Sequence, residues 1–91
     1  MNDFLNIGFG SYVNIGKIRL ITQADPERLR REMKKRQIEK NSPHFWDASG
    51  GKGIKSLLML EDGMIIVSAI NADTLNKRNT DTTNGGDQND R

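Results

Sequence analysis

The chain reads as an α+β fold: a small antiparallel sheet carrying one main helix and a short C-terminal helix. Three observations predict it. Ser56–Leu60 and Met64–Ile70 are β-type apolar runs joined by Glu61-Asp62-Gly63, and a short Asp-Gly connection between such runs signals a hairpin. Ahead of them, Asp25-Pro26-Glu27 opens a helical stretch that Asn41-Ser42-Pro43 must close. Beyond Asn79 the chain carries no aliphatic residue at all.

Taken in order, Phe4 to Gly10 reads as a first strand ending in a turn, with Gly8 and Gly10 free to take positive φ. Tyr12, Val13 and Ile15 are semi-apolar, and Asn14-Ile15-Gly16-Lys17 gives a bend before the strand Ile18–Thr22. Asp25 is a strong N-cap, Pro26 is tolerated at the first helical position, and Glu27 suits the positive end of the dipole. That helix is predicted to run to about Glu39. Only Leu29 and Met33 share a face, with Ile38 pointing elsewhere, so it packs along a narrow stripe. Phe45-Trp46 forms a brief strand into the glycine-rich segment Asp47–Lys55. Adjacent apolar residues on the last two strands imply burial on both faces, against the helix and, as one candidate for the other face, a second subunit. A helical turn from Asn71 ends near Arg78. Residues 1–78 are thus expected to form one domain, and 79–91 a disordered polar tail whose composition cannot offset the entropy of ordering.

Composition narrows the possibilities further. With 91 residues, 34% of them hydrophobic, the core must be thin. Disulfides, metals and self-association are the usual remedies, and a chain with no cysteine and one histidine is left with the third. A homo-oligomer is therefore expected. Met1-Asn2-Asp3 has no basic n-region and no long apolar run follows, so the expected location is cytoplasmic, without membrane contact.

The net charge of +2 hides an uneven distribution. Arg28, Arg30, Arg31, Lys34, Lys35, Arg36 and Lys40 crowd the main helix, while Asp81, Asp87 and Asp90 fall in the tail. The folded part is more basic than the whole, which fits a polyanionic partner. The helix itself reads as a solvated face, because its cations encircle it, and Glu32 and Arg36 form an ordinary i,i+4 pair. Lys17, Lys52 and Lys55 read differently. Lysines on glycine-flanked turns have little packing purpose and suit a phosphate backbone.

Enzymatic chemistry is not expected. His44 adjoins Pro43 with no nucleophile to serve, and Asp47 has no predictable acid–base partner and reads as a turn cap. Neither glycine patch matches a nucleotide-binding loop, and no ligand spacing suggests a metal, so no cofactor and no small-molecule substrate are expected.

Phe4-Leu5-Asn6-Ile7-Gly8-Phe9-Gly10, Lys17-Ile18, Asp47-Ala48-Ser49-Gly50-Gly51-Lys52, and Ile65-Ile66-Val67-Ser68-Ala69-Ile70 followed by Ala72-Asp73-Thr74 together resemble the extracellular-matrix regulatory proteins of the RemA-like family. The order and spacing of these stretches carry the resemblance from about Phe4 to Arg78. It implies a DNA-binding transcriptional regulator associated with biofilm-matrix genes. It also implies a LytTR-like subunit that closes into a ring. The family's basic position before the second strand falls on Lys17, and its Gly-Arg-Arg-x-Arg loop on Gly51-Lys52-Gly53-Ile54-Lys55. The resemblance thus gives the contact with double-stranded DNA to Lys17, Lys52 and Lys55. Gly53 stands where the family has a second arginine, Ala72 where it has proline, and the Asp25–Asp47 segment is slightly longer. Lysine in place of arginine offers a point charge rather than a fork, favouring phosphate over base edges. The alternative is an oligomeric protein-interaction or structural module without DNA binding, using the basic helix to dock an acidic partner. RNA binding has less behind it, since Phe9, Phe45 and Trp46 are too few for a stacking platform.

Overall fold

Two-sided apolar patterning on the last strands dictates the architecture. In the computed structural model, which describes residues 3–83, the elements are β1 (Phe4–Gly8), β2 (Ser11–Asn14), a 3-10 turn (Ile15–Lys17), β3 (Ile18–Gln23), α1 (Pro26–Arg36), β4 (Phe45–Asp47), β5 (Ser56–Leu60), β6 (Ile65–Ser68) and α2 (Ala72–Thr83). A four-stranded sheet has the order β3-β5-β6-β4, and β1 and β2 form a separate antiparallel ribbon. Side chains of the sheet alternate between two cores. Leu57, Ile65 and Val67, with Phe45 and Met59 at the margin, meet Leu29 and Met33 of α1. Leu58, Leu60 and Ile66, with Trp46 at the margin, meet Leu5, Ile7 and Val13 of the ribbon and Leu75 of α2. The result is three layers, with α1 on one face of the sheet and the ribbon plus α2 on the other. The face for which a second subunit was a candidate cover is closed by the chain itself.

Two hydroxyls differ in how they serve this stack. The Ser68 hydroxyl donates to the Ile7 carbonyl at 2.8 Å and accepts from the Ile70 N–H at 3.0 Å, tying the ribbon to β6. Ser56 pairs opposite Ser68 in the β5–β6 ladder and is equally buried, yet its hydroxyl has no partner. Arg78 adds a bond from α2 to the Asn6 carbonyl at 2.9 Å.

Four expectations need correction. The sheet is mixed, because β4 runs parallel to β6: α1 crosses the sheet between β3 on one edge and β4 on the other, returning the chain in β6's direction. The stretch around Tyr12 and Val13 is a strand, paired to β1 with Leu5 opposite Val13. Helix α1 begins as expected, with Asp25 accepting from the Arg28 N–H at 2.8 Å, but it stops at Arg36 rather than Glu39. Gln37 takes the left-handed conformation (φ 57°), its N–H bonding Lys34 O and that of Ile38 bonding Met33 O, a Schellman closure without the usual glycine. The reversal turns Ile38 back onto the Leu29–Met33 cluster. Finally, α2 continues to Thr83, past Arg78; of the polar tail read over 79–91, everything after Thr83 lies outside the described residues. Among the described residues no helix is long and apolar enough to cross a membrane.

The two serines make opposite predictions. Ser68→Ala strands a buried carbonyl and an amide and should cost about 2 kcal/mol. Ser56→Ala removes only an unsatisfied hydroxyl and should be neutral or stabilising by up to about 1 kcal/mol. Urea unfolding of both variants checks this, and equal losses would contradict the bonding described.

Candidate nucleic-acid interface

The two glycine-bearing patches, some forty positions apart in the chain, meet in space. After β4 the loop opens on Asp47, whose Oδ1 accepts from both the N–H (2.9 Å) and the hydroxyl (2.6 Å) of Ser49. Ala48 stays buried, its N–H bonded to Val67 O at 2.9 Å. Gly50 and Gly51 then take left-handed φ of 65° and 83°, and the Lys52 N–H closes the turn on Ser49 O at 3.1 Å. At the ribbon's tip, Phe9 lies directly against this turn. A Cβ added to Gly50 would fall 2.8 Å from the Cδ1, Cδ2 and Cε1 atoms of the Phe9 ring. Glycine is required there twice over, by backbone angle and by the ring's approach.

Lys52 stands exposed beside that contact, with Nζ 6.0 Å from the Phe9 ring centroid, the outer limit of a cation–π interaction. Past Gly53, Ile54 turns inward onto the α1 core, and Lys55 is pinned by its backbone, N–H to Ser68 O and carbonyl from the Ala24 N–H. Its side chain is exposed, over a shallow polar depression that Arg28 and Arg31 of α1 and the capping Asp25 also line. The loop therefore caps one end of the sheet, spanning from the ribbon layer to the α1 layer. Among the described residues neither Lys52 nor Lys55 has a carboxylate partner, whereas Arg31 sits 3.9 Å from Glu27.

Lys17 is elsewhere. It ends the 3-10 turn, and its carbonyl accepts from the Glu61 N–H at 2.9 Å, beside the β5–β6 turn. Since β3 pairs with β5 from Ile18 opposite Leu60 to Gln23 opposite Ser56, Lys17 and Lys55 occupy opposite ends of the sheet. At about 3.3 Å per residue the separation is roughly 20 Å. The structure thus joins Lys52 and Lys55 at one end and leaves Lys17 at the other, next to the acidic Glu61-Asp62. Arg28 and Arg31, set aside with the solvated face of the helix, belong to the loop end. No local signal places them there: they reach the loop end because the Ala24 N–H bonds Lys55 O just ahead of α1.

The molecule is thus a small α+β domain: a ribbon, a mixed sheet and one basic crossover helix stacked together, with cations gathered on a glycine-rich end loop. The profile of the family described as extracellular matrix regulatory protein A-like (RemA-like) matches residues 4–78, from the start of β1 into α2. A regulatory protein of Coprothermobacter proteolyticus is 36% identical over 75 residues, covering 82% of this chain and 69% of that one. One from Lachnoclostridium phytofermentans is 35% identical over 78 residues (86% and 82%), and one from Leptospira biflexa 39% over 77 (81% and 76%). All three are designated regulatory proteins by name only. The chain belongs to the RemA-like family.

The Phe9–Gly50 contact is open to a double-mutant test. Gly50→Ala should cost about 2–3 kcal/mol, combining positive-φ strain with displacement of the ring. In a Phe9→Ala background the steric part vanishes, leaving about 1 kcal/mol. The coupling, read by urea unfolding of the four proteins, should therefore exceed about 1 kcal/mol. Additive losses would mean that the ring does not rest on the loop.

Proposed function

We propose that the chain is a DNA-binding transcriptional regulator, without enzymatic activity or cofactor, that acts in the cytoplasm as a ring-shaped homo-oligomer on genes of the biofilm-matrix type. Its subunit would be of the LytTR-like kind. The observation that carries this reading is the end loop: Lys52 and Lys55 are exposed and free of carboxylate partners, with Arg28 and Arg31 alongside. Family membership supports the regulatory role.

A single subunit makes a poor DNA-binding protein. It offers a cationic end and, roughly 20 Å away, Lys17, a gap of about six base pairs at 3.4 Å per pair. A closed ring would repeat both features at fixed intervals. Weak contacts linked in this way gain through effective concentration, and a duplex bent along the rim would be selected by its deformability. Assembly then becomes a precondition for useful affinity at cellular salt.

One observation favours a second reading, the oligomeric protein-interaction module. Between α1 and the loop lies a groove floored by Leu29, Met33, Ile38 and Ile54, with Arg30, Lys34 and Lys40 against a single Glu39 at its rim, a shape and net charge suited to an acidic amphipathic segment of a partner. A gel-shift series on random duplex at low salt separates the two, since this module would cause no retardation.

The DNA reading predicts a quantitative salt effect. Each lysine–phosphate contact contributes about 0.9 to the slope of log affinity against log salt, so replacing Lys52 and Lys55 by alanine should flatten it by about 1.8 for every subunit that engages the duplex. Fluorescence anisotropy across a salt series measures the slope. No change would remove the loop from the interface.

A further inference from the structure

An apolar ring left in water on strained backbone calls for a physical account. Phe9 is 60% exposed, the most exposed large hydrophobic residue described. It adopts φ 53°, the left-handed region that a bulky residue enters at a cost, between Gly8 and Gly10, which take positive φ as well (105° and 74°). Phe4 and Tyr12, the other exposed aromatics of the ribbon, sit on ordinary extended backbone. Strain and exposure thus coincide at Phe9, whose ring rests on Gly50 with the Lys52 ammonium near its face.

We propose that Phe9 is a wedge that enters a base step from the minor groove of a duplex held by Lys52 and Lys55. The inference rests on the DNA reading above and adds a contact of a different kind. Three features suit the role. The ring is braced, because it bears on Gly50 within a turn closed by Asp47, Ser49 and the Lys52 amide. It is paired with charge, since the Lys52 ammonium lies 6.0 Å from its centroid and meets phosphate where the ring meets bases. It also projects from the tip of a two-stranded ribbon, with Gly8 and Gly10 on either side offering no side chains to hold bases away. Apolar side chains used in this way partly unstack one step and kink the duplex, most cheaply at flexible pyrimidine–purine steps. In a ring, one wedge per subunit would place kinks at the subunit repeat and supply the bend that wrapping needs.

The test uses the full chain and duplexes carrying 2-aminopurine singly at successive positions through TA and CA steps, with donor and acceptor dyes on the ends. Wild-type protein should raise 2-aminopurine fluorescence several-fold at a recurrent step and shorten the end-to-end distance. Phe9→Ala should abolish both signals and weaken binding while leaving the salt slope unchanged, because no cation is lost. Phe9→Leu, still an apolar wedge, should retain most of the signal, and circular dichroism with light scattering confirms that each variant remains folded and assembled. Wild-type binding without unstacking at any position, or unstacking that survives Phe9→Ala, overturns the wedge and leaves the DNA reading intact. So does dissociation of the assembly by Phe9→Ala, which would assign the ring to a contact between copies. Failure of wild-type protein to bind any duplex at low salt instead overturns the DNA reading, and the wedge with it.

Discussion

Strands β5 and β6 are apolar on both faces, and the rest of the molecule is arranged around that fact. A sheet with one apolar face can leave the other to water; this one cannot. Leu57, Ile65 and Val67 need one cover, and Leu58, Leu60 and Ile66 need another. In a short chain the covers must come from the only segments left over, which are one amphipathic helix and an N-terminal ribbon completed by α2. Each buried Leu, Ile or Val contributes about 1.5–3 kcal/mol on removal from water, so neither cover is optional. The chain thereby builds a two-sided core without disulfides.

Covering the second face also creates the candidate site. With Leu5, Ile7 and Val13 seated on the sheet and the Ile7 carbonyl bonded to Ser68, the ribbon's direction is fixed and its tip has to fall at the β4–β5 end. There it meets the turn at Gly50. The same packing that stabilises the core thus sets Phe9 beside Lys52. Arg28 and Arg31 arrive from the opposite layer, because α1 starts next to the Lys55–Ala24 backbone contact. Three separate segments converge on one end of the sheet as a consequence of burial, with no direct bond among their charged groups.

Much of this was legible in the residues, and what was not has a common cause. The bounds of β5 and the start of α1 follow from local signals: a continuous apolar run, and an Asp cap followed by proline. The two-sided burial followed from adjacent apolar residues. By contrast, a three-residue β4 carries no periodicity from which to read its direction, and its parallel pairing is set by where α1 lands. Helix α1 stops at a left-handed glutamine because Ile38 gains burial by folding back, a tertiary reward that no stop signal announces. Lys52 and Lys55 could be singled out by their glycine neighbours. That Lys17 sits at the far end of the sheet, and that Arg28 and Arg31 sit at the near one, depends on strand pairing between distant segments. Local chemistry was readable; placement required the fold.

On the proposed DNA-binding reading, a scattered, weakly cationic surface becomes a grip only when copies are joined. Light scattering coupled to size exclusion, with and without a random duplex, addresses it directly. A ring-shaped DNA-binding assembly should give a discrete species several times the protomer mass, with the duplex eluting on that species and on no smaller one. A protomer-sized peak that carries the duplex equally well, or that remains alone and indifferent to it at the lowest ionic strength, would rule out assembly as the basis of the grip.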